Sequence, residues 1–178
     1  MKENYHNAVK FIVESEGGLD DDPVDRGGRT AYGITQGTYN VYRMRNNLGP
    51  KDVWEISPGE VEAIYHGMYW VPAKCDLIPV PLDTLVFDSA IQHGVARSLK
   101  WVQMCVGASP DGLFGQKSKS ALLSAVEIDG VYAISKKFMS LRDAFYSSIV
   151  HNDPTQKRFE KGWKNRMLAL RKAAGLRD

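Results

Sequence analysis

Apolar residues recur at steps of three and four along most of the chain, which is the period of one helix face. Ala8, Phe11, Ile12 and Ser15 line an N-terminal stretch that stops at Gly17-Gly18. Val95, Leu99, Val102 and Val106 form a second stripe, ended by Gly107. Val131, Ile134, Phe138, Leu141, Phe145 and Ile149 predict a long helix. Phe159, Trp163, Met167, Leu170 and Ala174 predict a C-terminal one, entered through Asp153-Pro154 as N-cap and first-turn proline. Ser57-Pro58-Gly59-Glu60 reads as a helix start: Ser57 caps, Pro58 takes the first helical position and Glu60 closes a capping box. Core packing accounts for all of these stripes.

The pattern breaks between residues 17 and 35. This stretch is rich in Gly and Asp, turns at Arg26-Gly27-Gly28, and runs on through Thr30-Ala31-Tyr32-Gly33-Ile34. A Gly-Gly turn followed by alternating residues predicts a short hairpin. The expected fold class is therefore mainly α, with one small β-hairpin after the first helix. Gly94 and the turn Ser109-Pro110-Asp111-Gly112 mark a seam in the second half. No linker is long enough to separate independent domains. The expected division is 1–93 and 94–178, packed as one compact unit.

Composition narrows the class. The 178 residues are 43% hydrophobic and 25% charged, ordinary values for a soluble globular protein. No apolar run approaches the roughly 18 residues of a membrane span, so stable membrane insertion is not expected. The start Met1-Lys2-Glu3-Asn4-Tyr5-His6 lacks the apolar stretch of a signal peptide. Cys75 and Cys105 are too few for a disulfide framework and read as free, partly buried thiols. The formal net charge is only +2, but it is unevenly spread. Glu14, Glu16, Asp20, Asp21, Asp22 and Asp25 follow one another with no base between them. The tail from His151 carries eight Lys and Arg against three acids. A solvated amphipathic helix explains that tail; attraction to anionic wall polymers is a second reading.

The acidic stretch holds the candidate chemistry. Glu16 ends an amphipathic helix just before two glycines. The partial negative charge at a helix C-terminus disfavours ionisation of a carboxyl there. Asp25 lies in the polar turn that follows, and Thr30 comes five positions later. One carboxyl kept protonated and another kept ionised is the pairing that glycoside hydrolysis uses, and a nearby hydroxyl can hold water. Spacing alone leaves a bland alternative open, because acids near glycines are commonly solvated loop residues. The four histidines are scattered, and Asp20-Asp21-Asp22 lacks the alternation of a calcium loop, so neither a metal nor another cofactor is expected.

The run Glu14-Ser15-Glu16-Gly17-Gly18, then Asp22-Pro23-Val24-Asp25-Arg26-Gly27-Gly28-Arg29-Thr30-Ala31-Tyr32-Gly33-Ile34-Thr35, resembles the signature of glycoside hydrolase family 108. These are peptidoglycan muramidases of phage endolysins and bacterial secretion-activator proteins. The family often has Pro where this chain has Arg26. The gap from Asp25 to Thr30 is one residue shorter than its counterpart in phage-type lysozymes. Tyr65, Tyr69 and Trp70 resemble the family's Tyr-x-x-x-Tyr-Trp segment. Phe87-Asp88-Ser89-Ala90-Ile91-Gln92-His93-Gly94 resembles its Phe-Asp-x-Ala-x-Asn-x-Gly segment, with Gln92 in place of Asn. From Gly94 onward the chain resembles the predicted peptidoglycan-binding region of the same proteins, through Asp111-Gly112-Leu113-Phe114-Gly115 and Gly162-Trp163-Lys164-Asn165-Arg166.

The resemblance implies a lysozyme-like fold and cleavage of the β-1,4 bond from N-acetylmuramic acid to N-acetylglucosamine. It implies Glu16 as proton donor, Asp25 as base or electrostatic stabiliser, and Thr30 as a water-holding group. Tyr32, Tyr65, Tyr69 and Trp70 are candidates to stack on sugar faces, and Asp88 and Gln92 to bind glycan edges. Tyr65 and Trp70 also suit core packing, and Asp88 also suits a capping or orienting role. The expected partner is a peptidoglycan glycan strand, met as a monomer without nucleic acid. Synthesis in the bacterial cytoplasm and action in the periplasm or wall would require a holin or an export route. The competing classes are a lytic transglycosylase, a non-catalytic wall-binding module and a nucleic-acid-binding helical protein.

Overall fold

The computed structural model describes residues 2–16, 19–20 and 29–176; Lys2, Glu3, Ser15, Glu16, Leu19 and Asp20 are described by backbone alone. The fold is mainly α, with one small antiparallel sheet after the first helix. Two compact units follow along the chain, Lys2–Tyr69 and Trp70–Asp178.

In the first unit, α1 (Lys2–Glu16) leads into β1 (Leu19–Asp20), β2 (Thr30–Ala31) and β3 (Ile34–Thr35), then α2 (Gln36–Arg45) and α3 (Pro58–Tyr65). Tyr5, Ala8, Val9 and Ile12 bury one face of α1, while Phe11 is half-buried. The sheet order is β1-β2-β3, with Asp20 opposite Thr30 and Thr30 opposite Thr35. The tight turn between β2 and β3 is Tyr32-Gly33, with φ of 52° and 73°. Positive φ at both central residues is the turn whose twist matches a two-residue hairpin. The turn expected at Arg26-Gly27-Gly28 lies outside the described residues. Thr35 caps α2 by accepting from the Thr38 N–H at 3.2 Å. The capping box at α3 forms as expected: Glu60 N–H donates to Ser57 Oγ, and Ser57 N–H donates to Glu60 Oε2.

The second unit holds α4 (Leu82–His93), α5 (Val95–Cys105), α6 (Gln116–Asp129), α7 (Val131–Asn152) and α8 (Glu160–Ala173). Helices α4 and α5 pack on each other across Gly94, and Ser98 Oγ on α5 donates to the Val86 carbonyl on α4 at 2.8 Å. On α7 the buried face differs from the expected stripe. Ile134 and Phe138 are buried, but Leu141 and Phe145 are only half-buried, and Arg142 and Tyr146 occupy the covered side. Phe159 also departs from expectation. Pro154–Phe159 is a 3-10 segment, capped by Asp153, and α8 begins after it. The tighter winding shifts Phe159 off the α8 stripe and leaves it 44% exposed.

Candidate functional site

The first unit carries most of the expected site. Glu16 is the last residue of α1, so its backbone sits where the helix presents unpaired carbonyls. Its side chain and the whole of Asp25 lie outside the described residues. Four residues after Glu16, Asp20 pairs with Thr30 across the sheet. Extended chain covers at most about 3.6 Å per residue, so covalent geometry keeps Asp20 within about 14 Å of Glu16. Thr30 is half-buried in the central strand. Beside it, Arg29 forms an ion pair with Asp52 at 2.7 Å, and its guanidinium lies 4.5 Å from the Trp54 ring centre. Gln36 ties the base of the hairpin to the following loop: Oε1 accepts from Val53 N–H at 2.7 Å, and Nε2 donates to the Lys51 carbonyl at 2.9 Å.

Tyr32 and Tyr65 form one device. Tyr65 is 1% exposed, and its hydroxyl donates to the Tyr32 carbonyl at 2.6 Å. A buried side chain thus holds a non-glycine residue in the left-handed region, where its conformation is costly. Tyr32 itself is half-buried, and Tyr69 is half-buried with its ring centre 6.0 Å from that of Tyr65. Burial raises the Tyr69 pKa, so its hydroxyl stays protonated. Nearby, Glu60 accepts from Tyr39 at 2.8 Å and from Arg43 at 2.7 Å. Burial pushes the Glu60 pKa up, but bonds from Ser57 and Tyr39 and the charge of Lys51 outweigh it and bring the value to about 2.

The remaining expected residues belong to the second unit. Trp70 is 1% exposed; its Nε1–H donates to Asp76 at 2.8 Å and its ring meets Phe87 edge-on. The ring packs in the interior and presents no open face to a sugar. Asp88 is wholly buried between Arg142 and Arg166, each within 2.6 Å. Burial alone would raise its pKa, yet the two guanidiniums hold it below the usual carboxylate range. Gln92, four positions on, is exposed, so Asp88 and Gln92 do not share one surface. Arg142, Arg166 and His93 were not among the expected site residues. His93 stands among the rings of Trp101, Phe145 and Tyr146, with centres 5.2–5.3 Å away. Burial and then the Arg142 charge bring its pKa down to about 4. Both thiols are free, and burial raises that of Cys105 to about 12, which keeps it an unreactive thiol at neutral pH. Among the described residues, no three His, Cys, Asp or Glu side chains converge as a metal site would require.

Residues 9–94 match the family model for Glycosyl hydrolase 108, and residues 97–168 match that for a Predicted Peptidoglycan domain. Residues 9–94 thus resemble the glycosyl hydrolase 108 family. The solved structure of Brucella abortus SagA is similar at 28% identity and a TM-score of 0.80, covering 100% of this chain and 98% of that one. No curated protein matches. A glycosyl hydrolase 108 region followed by a peptidoglycan domain makes the chain a peptidoglycan hydrolase. Glu16, Thr30, Tyr32, Tyr65 and Tyr69 all fall within the glycosyl hydrolase 108 segment and within the first compact unit. That segment also includes α4, which packs with the helices of the second unit.

Proposed function

We propose that the chain is an N-acetylmuramidase that cleaves the β-1,4 bond between N-acetylmuramic acid and N-acetylglucosamine. The observation that carries the reading is the position of Glu16, the final residue of α1 within the glycosyl hydrolase 108 segment. The negative end of the helix favours the protonated carboxyl, and a protonated carboxyl can donate to the leaving glycosidic oxygen. Asp25 serves as the second carboxylate, acting on water or on the positive charge that develops at the sugar. Thr30, in the central strand β2, holds the water. Tyr32 and Tyr69 offer partly exposed rings to the sugar. Residues 1–93 act as the catalytic region and 94–178 as the wall-binding region of a monomer. A protein made in the cytoplasm would reach the wall through a holin or an export partner.

Mass spectrometry of products from purified peptidoglycan tests the assignment. Wild type should release reducing muropeptides, and folded Glu16→Gln should release none, because an amide cannot give the proton. Anhydro-muramoyl products would make the chain a lytic transglycosylase. Full activity in folded Glu16→Gln would remove Glu16 from the mechanism.

A further inference from the structure

A groove between α1 and α3 has no role in the mechanism described so far. It lies wholly within the first unit and encloses about 250 Å³. Val9, Val13, Val61 and Pro58 give it apolar walls, and Tyr32 also lines it. Its polar groups are His6, Lys10 and Glu62, whose side chains are 55%, 74% and 47% exposed. His6 Nδ1 stands 3.5 Å from Glu62 Oε1. Tyr5 fixes the α3 side of the groove by donating its hydroxyl to the Glu62 carbonyl.

Two features tie this groove to the candidate catalytic centre. Positions 9, 13 and 16 follow the i, i+4, i+7 spacing of one helix face, so the groove runs along the face of α1 that ends at Glu16. Glu16 lies three positions beyond Val13, about 4.5 Å along the axis. Tyr32, held rigid by Tyr65, is common to the groove and to the residues expected to meet sugar.

The chemistry of the walls selects the ligand. Valine side chains match small methyl groups better than they match the hydroxylated edges of a sugar. Lys10 matches a carboxylate and Glu62 an ammonium group. A short peptide of small residues that carries both free carboxylates and a free amine satisfies all three. Peptidoglycan presents such a peptide on the lactyl group of muramic acid wherever that group is peptide-substituted. We propose that this groove binds the stem peptide of the strand whose glycan is cut at Glu16. The inference rests on the muramidase reading above.

Two substrates separate the possibilities: glycan strands bearing stem peptides, and the same strands stripped by an amidase. Wild type should show a KM several-fold lower on peptide-bearing strands, with similar kcat. Lys10→Glu and Glu62→Lys, both surface changes, should bring the ratio of the two KM values close to one. Arg45→Glu, an exposed residue of α2 outside the groove, should keep the wild-type ratio. Calorimetry with the free stem peptide provides a readout independent of cleavage, with binding expected in wild type and lost in Lys10→Glu. Equal KM values on both substrates in wild type, or an unchanged ratio in both groove variants, would overturn the proposal. Peptide binding that Lys10→Glu abolishes, with neither strand cleaved, would support the groove and sink the muramidase reading instead.

Discussion

Asp88 shows what a single buried charge can demand. Its carboxylate is out of water and is stable only because Arg142 and Arg166 close on it. Removing one member of such a set leaves the others uncompensated, which typically costs about 3–5 kcal/mol. Asp88→Asn should therefore lower the melting temperature sharply, since it strands the fully buried Arg142 guanidinium. Arg142→Met should cost less, because Arg166 still answers Asp88. Thermal melts of the two variants give the order directly. Tyr65 makes a gentler case. Tyr65→Phe keeps the ring and removes the bond to Tyr32, a loss of about 1 kcal/mol. Because Tyr32 lines the groove, the change should raise KM for peptide-bearing strands more than it lowers kcat. Steady-state kinetics checks the split. The capping role of Ser57 is legible in four consecutive residues. The role of Arg142 is not, because its partner lies 54 positions away, and the only local sign is a charge at the spacing of Phe138 and Tyr146.

Elements are held by devices that local pattern reveals unevenly. The loop before α6 is gripped by Gln103, which is 1% exposed. Its Nε2 donates to Asp111, to the Leu113 carbonyl and to Ser118, while its Oε1 accepts from Gly112 N–H at 2.8 Å. Gln103→Ala should cost about 1–3 kcal/mol, the penalty for buried groups left without partners. Gly112 has φ of 80°, and a Cβ there would meet the Ala96 carbonyl oxygen at 2.9 Å. Gly112→Ala should destabilise by more than about 1 kcal/mol through backbone strain and that clash. Denaturant melts would measure both losses. The turn Asp111-Gly112 is visible in the sequence, but its clamp is not, because a glutamine in an amphipathic helix reads as a surface residue. The α7 stripe predicts a helix correctly and misplaces its centre. Periodicity gives the direction of a face only to within a side chain, and packing decides which flank is covered. Likewise, Gly27-Gly28 is the more obvious turn signal in the sequence, whereas the described tight turn uses Tyr32 with Gly33.

At the scale of the whole chain, the two units respond to acid in different windows. His93 has its pKa lowered to about 4 from an ordinary 6.5, so the folded state favours the neutral ring. Its contribution is complete above pH 6.5 and is lost as the pH falls toward 4. Glu60 has its pKa lowered from 4.5 to about 2, so its contribution is complete above 4.5 and is lost only as the pH falls toward 2. The second unit should therefore weaken at a higher pH than the first. Hydrogen exchange across a pH series from 7 to 3 should show protection falling first in α4, α5 and α7. Simultaneous loss in both units would refute the ordering. The mainly α architecture, the small sheet and the glycosyl hydrolase character are all legible in the chain, because periodicity and one long motif carry them. The grouping of α4 with the later helices is not, because it depends on contacts between residues far apart in sequence.

That grouping constrains how such proteins can be recombined. The family boundary near residue 95 invites a cut there, with one hydrolase segment joined to another tail. Asp88 lies on the near side of that cut, and both of its arginines lie beyond it. A transplanted tail lacking basic residues at those two positions would leave an ionised carboxylate sealed in the interior. A tail exchange is therefore expected to succeed only where the new tail supplies a base to answer Asp88, or where the acid is replaced with it.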